Sequence, residues 1–303
     1  MDLPNPGCDT LLRGDSPVLI VTPHTGTRLP DALREHPGWL PVEGRLADPA
    51  GRVLHDAARR CGATLIAARF HPCVIDFMVS ADASALSVGV DRGGLCRTRT
   101  SRGEALYEQD RPLTDADVGE RVDHLWRPFH RAVEAEVQRL RAMHANILVL
   151  VSHASWWLSP FRAESMGRDC NVGTDNGRSC DRKLVSALME TVTAQGRSWV
   201  VNGNVADGFA AQHYGQPASG VHALNLEVAG QWRIDCASQV DRATAEPLHD
   251  RGASASGNHA QVDADASTDS AMAAIIVRLE SVLQALPASA EAFESADATR
   301  SHC

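Results

Sequence analysis

Two stretches decide the fold: Val18-Leu-Ile-Val-Thr-Pro-His-Thr-Gly26 and Ile147-Leu-Val-Leu-Val-Ser-His153. Each is a short aliphatic run, bounded by a polar turn that carries a histidine, and too short for an independent buried helix. Further apolar runs at 64–70, 74–77, 199–201 and 222–228 alternate with longer helical patterns. That alternation predicts an α/β fold, with a mixed, largely parallel sheet flanked by helices.

Working outward, Val118, Val122, Leu125, Phe129, Val133, Val137 and Leu140 recur at spacings of three and four, which makes an amphipathic helix. Pro128 lacks a backbone donor and is expected to kink or restart it. A second helix is expected at about 181–195, with Ser179 or Asp181 at its start and Gly196 as its stop. Residues 235–270 are rich in Ala, Ser, Asp, Gly and His without apolar periodicity, and read as a mobile insertion. A last amphipathic helix, carrying Met272, Ile275, Ile276, Leu279, Leu283 and Leu286, ends at Pro287. The expected organisation is a single domain over 1–286 and a disordered tail over 287–303.

The 303 residues carry a formal charge of −9, with Lys183 the only lysine. Nucleic acid and anionic membranes are bound through clustered positive charge, so neither is an expected partner. A small molecule is. No apolar segment is long enough to span a bilayer, and no basic-then-apolar leader opens the chain. Eight scattered cysteines without a CxxC pair suit reduced thiols, so the expected compartment is the cytoplasm.

His24 and His153 both sit at the carboxyl ends of strands, where an open α/β sheet forms its ligand crevice, so the two imidazoles are placed to share one metal ion. Glu227 interrupts the apolar run His222-Ala-Leu-Asn-Leu-Glu-Val228; a carboxylate there must be paired, ligated or exposed at a site, and suits a general base. Asp76, in Val74-Ile-Asp-Phe77, poses the same question, with a solvent-facing structural role favoured. The glycine-rich Gly173-Thr-Asp-Asn-Gly-Arg-Ser-Cys180 precedes a helix, whose amides offer an anion site. No Gly-x-Ser-x-Gly elbow, reactive-cysteine signature, P-loop or dinucleotide glycine pattern is present.

In order along the chain come Pro23-His24-Thr25-Gly26, Cys73-Val-Ile-Asp76, Gly94-Leu-Cys-Arg-Thr-Arg99, Gly103-Glu-Ala-Leu-Tyr107, Leu125-Trp-Arg-Pro-Phe-His130, 173–180, Asn202-Gly203, His213-Tyr214-Gly215 and Gly220 to Glu227. Collinear, and spanning roughly 18–228, they resemble the N-formylglutamate amidohydrolase family, which is similar in turn to the zinc carboxypeptidases. The resemblance implies one Zn2+ held by His24, His153 and an acidic residue, best matched by Asp48 with Asp56 as the fallback. It implies Glu227 as the base that activates water, and substrate contacts from Arg99, Thr174, Asn202 and His222. The implied substrate is an N-acyl amino acid such as N-formylglutamate.

Three departures stand out. The family's His-Val-Asp after the acidic ligand is Ala50-Gly51-Arg52 here. Its Leu-Asn-Arg-Pro, whose arginine resembles a carboxylate clamp, is Phe77-Met78-Val79-Ser80, leaving Arg69, Arg97 or Arg99 to compensate. Its Asp-x-His-Ser is Val151-Ser-His-Ala154, without the carboxylate. These departures favour the alternative, a catalytically degenerate relative that binds or regulates; retention of both histidines and the glutamate favours the active amidase.

Overall fold

A computed structural model describes residues 7–82, 94–100, 103–154, 168–203, 209–245 and 259–288, with backbone alone described over 259–267. Seven strands form one sheet in the order β1-β3-β2-β4-β7-β5-β6. They are β1 (Cys8–Leu12), β2 (Val18–Thr22), β3 (Thr64–Ala68), β4 (Ile147–Ser152), β5 (Cys170–Gly173), β6 (Trp199–Val201) and β7 (Val221–Val228). The pairs β3–β2, β2–β4, β4–β7 and β5–β6 are parallel, while β1 on β3 and β5 on β7 are antiparallel. The sheet is thus mixed and largely parallel. Every residue of β2, β3, β4 and β7 is buried, as continuous apolar runs inside a two-sided sheet require.

Helices α1 (Asp31–Arg34), α2 (Pro49–Arg60), α3 (Asp115–Arg121), α4 (Arg127–Arg141), α5 (Arg182–Ala194), α6 (Phe209–Tyr214), α7 (Gly230–Ala245) and α8 (His259–Ala285) connect and cover the strands. One core joins Ile20, Leu148, Leu150, Leu224 and Leu226 to α2, α5, α7 and α8. The other joins Leu19, Val21, Val149, Val151 and Ala223 to α4 and the 73–77 segment. Strand alternation separates the two, one residue in each pair to each face.

A π-turn at Val122–Trp126 divides α3 from α4, and Pro128 follows it directly in the first turn of α4, so its missing N–H falls where the helical ladder changes register. The expected helix stop at Gly196 has φ of +70°. Asp181 is the cap of α5, accepting from the Lys183 amide at 2.8 Å; the chain's own carboxylate therefore occupies the position read as an anion site.

Two expectations need correction. The 74–77 run is not a strand: it is a buried turn, held by Val74 N–H to the His71 carbonyl and Asp76 N–H to the Leu95 carbonyl. The expected insertion over 235–270 is helical at both ends, α7 reaching Ala245 and α8 starting at His259. Trp232 and Cys236, one turn apart, are fully buried and anchor α7 against the sheet. Residues 246–258 and 289–303, within the expected insertion and tail, lie outside the described residues.

Candidate active site

The sheet's connections diverge between β2 and β4: β2 leads by α2 to β3 on one side, and β4 lies on the other. This is the switch point at which an open α/β sheet opens a crevice beyond its carboxyl ends. His24 follows β2 there and His153 follows β4. Their rings are perpendicular with centroids 6.0 Å apart, and both residues are buried.

His24 Nδ1 accepts the Ala154 N–H at 3.1 Å, so the ring proton sits on Nε2, which faces Asp76 Oδ1 at 2.9 Å. Asp76 also accepts the Met78 N–H at 2.9 Å, and its other oxygen lies 3.8 Å from Arg97. Burial raises the Asp76 pKa, but the His24 ring, Arg97 and the Met78 amide outweigh it and hold the carboxyl down to about 2. Asp76 is therefore a buried partner of His24, not a solvent-facing residue. A carboxylate behind a histidine fixes the tautomer and the ring orientation. Burial pushes the His153 pKa down to about 3, with His24 adding to the effect and Asp76 opposing it.

Asp48 enters the crevice from the other face. It occupies the N-cap of α2, yet its carboxylate caps nothing; Oδ2 instead accepts from Ser152 Oγ at 2.7 Å, and the Asp48 N–H donates to the His24 carbonyl at 3.1 Å. Asp48 is 0% exposed, and its Oδ1 has no hydrogen-bond partner among the described residues. Gly51 makes the room, because a Cβ there would lie 2.5 Å from Asp48 Oδ2. The replacement of His-Val-Asp by Ala50-Gly51-Arg52 thus leaves this carboxylate its place. Asp56, by contrast, is exposed on α2 beside Arg59.

Glu227 is buried at the far end of β7, with Asn171 Nδ2 at 3.5 Å. The register Ser152 to Leu226 and the bond from His153 N–H to the Leu226 carbonyl at 3.0 Å bring it level with His153. Arg233, largely buried on α7, donates to the Ala47 carbonyl at 2.9 Å. Burial lowers its pKa, while the Asp48 and Glu227 carboxylates pull it back up, so its charge is felt at both.

The expected substrate contacts divide. Thr174 and Asn202 lie at the ends of β5 and β6, bonded to each other: Asn202 Oδ1 accepts from Thr174 N–H at 2.9 Å, and Asn202 Nδ2 lies 2.8 Å from Thr174 Oγ1. Asp175, Asn176 and Asn202 all have φ near +50°, a conformation that Asp and Asn tolerate best among non-glycine residues. Arg99 is exposed and bonded to the Gly103 carbonyl. His222 lies near the start of β7 on the opposite face from Glu227, accepting the Asp181 N–H at 3.2 Å. Neither is brought to the crevice.

Sequence reasoning passed over Ser152 and Arg233, and gave Asp76 a structural role. The signal for Asp76 was present, since an acid within a buried apolar segment demands a partner; Ser152 and Arg233 carried none.

Among the described residues no three of His, Cys, Asp and Glu are grouped as a ready ligand set. The donor types nonetheless suit zinc: two imidazoles, and a buried carboxylate whose Oδ1 has no hydrogen-bond partner among the described residues, linked through the Ala154 N–H to His24 and the Asp48 N–H to the His24 carbonyl. For His24 to ligate through Nδ1, its bond to the Ala154 amide must give way.

The family model for N-formylglutamate amidohydrolase matches residues 16–232. The chain belongs to that family. It is 33% identical over 220 residues to the N-formylglutamate deformylase of Pseudomonas putida, covering 72% of this chain and 81% of the relative. The deformylase of Pseudomonas aeruginosa is 33% identical over 221 residues, 72% of this chain and 82% of the relative. Among solved structures, the N-formylglutamate amidohydrolase of Ralstonia eutropha JMP134 superposes with a TM-score of 0.61 at 19% identity, covering 92% of this chain and 99% of the other. A gene product of Agrobacterium tumefaciens superposes at 0.54, with 17% identity over 76% of this chain and 87% of the other. These likenesses carry the fold, and the family carries the enzyme class: an amidohydrolase. Among the described residues no helix is long and apolar enough to cross a membrane.

Proposed function

We propose that this chain is a zinc-dependent amidase that removes the acyl group of an N-acyl amino acid, with N-formylglutamate as the leading substrate. The observation that supports the reading is the pairing of the His24 and His153 rings beyond β2 and β4, with Asp48 bonded to Ser152 of β4 and Glu227 near the end of the neighbouring β7, within a chain that belongs to this family. His24, His153 and Asp48 would hold the ion, which when bound polarises a carbonyl and makes water more acidic. Asp76 holds His24, and Ser152 holds Asp48.

Glu227 accepts a proton from the attacking water and returns it to the departing amine nitrogen. The C–N bond breaks, and a carboxylic acid and a free amino acid leave. The Arg233 charge favours Glu227 as a carboxylate before it takes up the proton and again after it gives the proton back. Arg97, partly buried beside Asp76, is the arginine placed to meet a substrate carboxylate in place of the one lost at Val79; Arg69 lies by Cys8, and Arg99 faces outward. Seven described cysteines, Cys8, Cys61, Cys73, Cys96, Cys170, Cys180 and Cys236, are unpaired, which supports a cytoplasmic setting.

Purified protein supplied with zinc and a panel of N-formyl, N-acetyl and N-succinyl amino acids tests the reading. Release of free amino acid from at least one of them, with N-formylglutamate among the best, is expected. No hydrolysis across the panel, with zinc bound, would leave the degenerate binding protein as the better account.

A further inference from the structure

Asn225 lies two residues before Glu227 on β7, and so on the same face of the sheet. It is 1% exposed, and neither its Oδ1 nor its Nδ2 has a hydrogen-bond partner among the described residues. A buried carboxamide with both ends unmet is uncommon and calls for a cause. The surroundings supply no structural one. Its strand neighbours are Val151 on β4 and Gly173 on β5, and an apolar side chain would continue the buried face of Val221 and Ala223 at no such cost. Gly173, directly across, contributes no side chain to fill the space beside the amide. The other polar groups nearby are committed: Thr174 and Asn202 to each other, and Asn171 to Gly203 and Glu227.

We propose that Asn225 is the residue that reads the scissile amide of the substrate, its Oδ1 accepting the amide N–H and its Nδ2 donating to the adjoining carboxylate. The assignment rests on the amidase reading above and adds the group that recognises its substrate. In an N-acyl amino acid the N–H and the α-carboxylate sit side by side, matching the adjacent acceptor and donor of a carboxamide. Asn225 then holds the nitrogen on the face where Glu227 returns its proton, and the cost of leaving the amide unmet in the empty protein becomes specificity on binding. A site built to pair with a substrate N–H rejects analogues without one.

The test uses Asn225→Leu in the full chain with zinc, comparing N-formylglutamate with the matching O-formyl ester, which has no N–H. The ligand-free midpoint of thermal unfolding is expected to stay level or rise, because an unmet polar group has been removed. The amide-to-ester ratio of kcat/KM is expected to fall by about 10-fold or more, the scale of one specific hydrogen bond to a charged or reacting group. Asn225→Ala, which adds no volume, carries the same kinetic expectation should leucine not fit. A large drop in the midpoint for both variants, or an unchanged amide-to-ester ratio, overturns the assignment. A parent without turnover on any N-acyl amino acid removes the amidase reading and this assignment together; an active parent matched by equally discriminating variants removes the assignment alone.

Discussion

The two halves of the crevice are built differently. At the ends of β2 and β4, nearly every polar group is held: His24 by Asp76 and the Ala154 amide, Asp76 by Met78 and Arg97, and Asp48 by Ser152. Where the start of β5 pairs with the end of β7, Asn171 lies 3.5 Å from Glu227, and Asn225 has no hydrogen-bond partner among the described residues. On the proposed reading, the first half holds the metal in one geometry, and the second offers the Glu227 carboxylate and the Asn225 carboxamide to the substrate. One sheet edge thus separates a holding side from a working side.

The largest effect should come from the working side. Glu227→Gln keeps size and polarity but cannot take a proton, and turnover is expected to fall about 10²–10⁴-fold with fold and metal content unchanged; circular dichroism and metal analysis beside the rate measurement check all three. On the holding side, Asp76→Asn keeps a hydrogen bond to His24 but removes the charge. Zinc affinity should fall about 10–100-fold, measured by competition with a chelator. Equal losses of metal from both variants would erase the distinction between the halves.

Gly51→Ala sharpens the same contrast. The added methyl meets Asp48 Oδ2 and the Thr25 methyl, at 2.5 and 2.9 Å, and stability should drop by about 1–3 kcal/mol with zinc binding weakened alongside. Denaturant titration with and without zinc separates the two consequences.

The last test, pH dependence, reads the surrounding fold rather than either half. Burial pushes His55, His71 and His130 down to about 3, so the folded protein keeps them neutral while the unfolded chain takes up protons below 6.5. Stability is therefore full above pH 6.5 and is lost as pH falls from there toward 3, by up to about 1.4 kcal/mol per pH unit for each histidine. The Asp76 carboxyl is lowered as well, so its contribution is lost in the same direction, but only between 3.8 and about 2. Urea midpoints between pH 7 and pH 4 should show the loss; a flat profile would mean these histidines are not neutral in the fold.

Much of the fold was legible because β2, β3, β4 and β7 are buried on both faces and spell continuous apolar runs. The edge strand β1 and the short β5, Cys-Asp-Thr-Leu-Leu and Cys-Asn-Val-Gly, carry too little pattern to announce themselves. The 74–77 run misled because burial, not extension, makes it apolar. In α7 the Trp232 to Cys236 spacing was diluted by Ala, Ser and Asp, and composition was read ahead of periodicity. Within the site, His24, His153 and Glu227 were visible as polar residues at strand ends, and Asp48 through the family pattern. Asn225 was hidden inside a run read as apolar; Ser152 and Arg233 act through partners that only the folded chain brings near.

The account stands on a metal held jointly by β2, α2 and β4, and stoichiometric zinc titration of the parent beside His24→Ala and His153→Ala tests that most directly. One zinc per parent chain is expected, with both variants folded by circular dichroism yet binding none at the same concentration. A parent that binds no zinc, or variants that bind it as the parent does, would contradict the account.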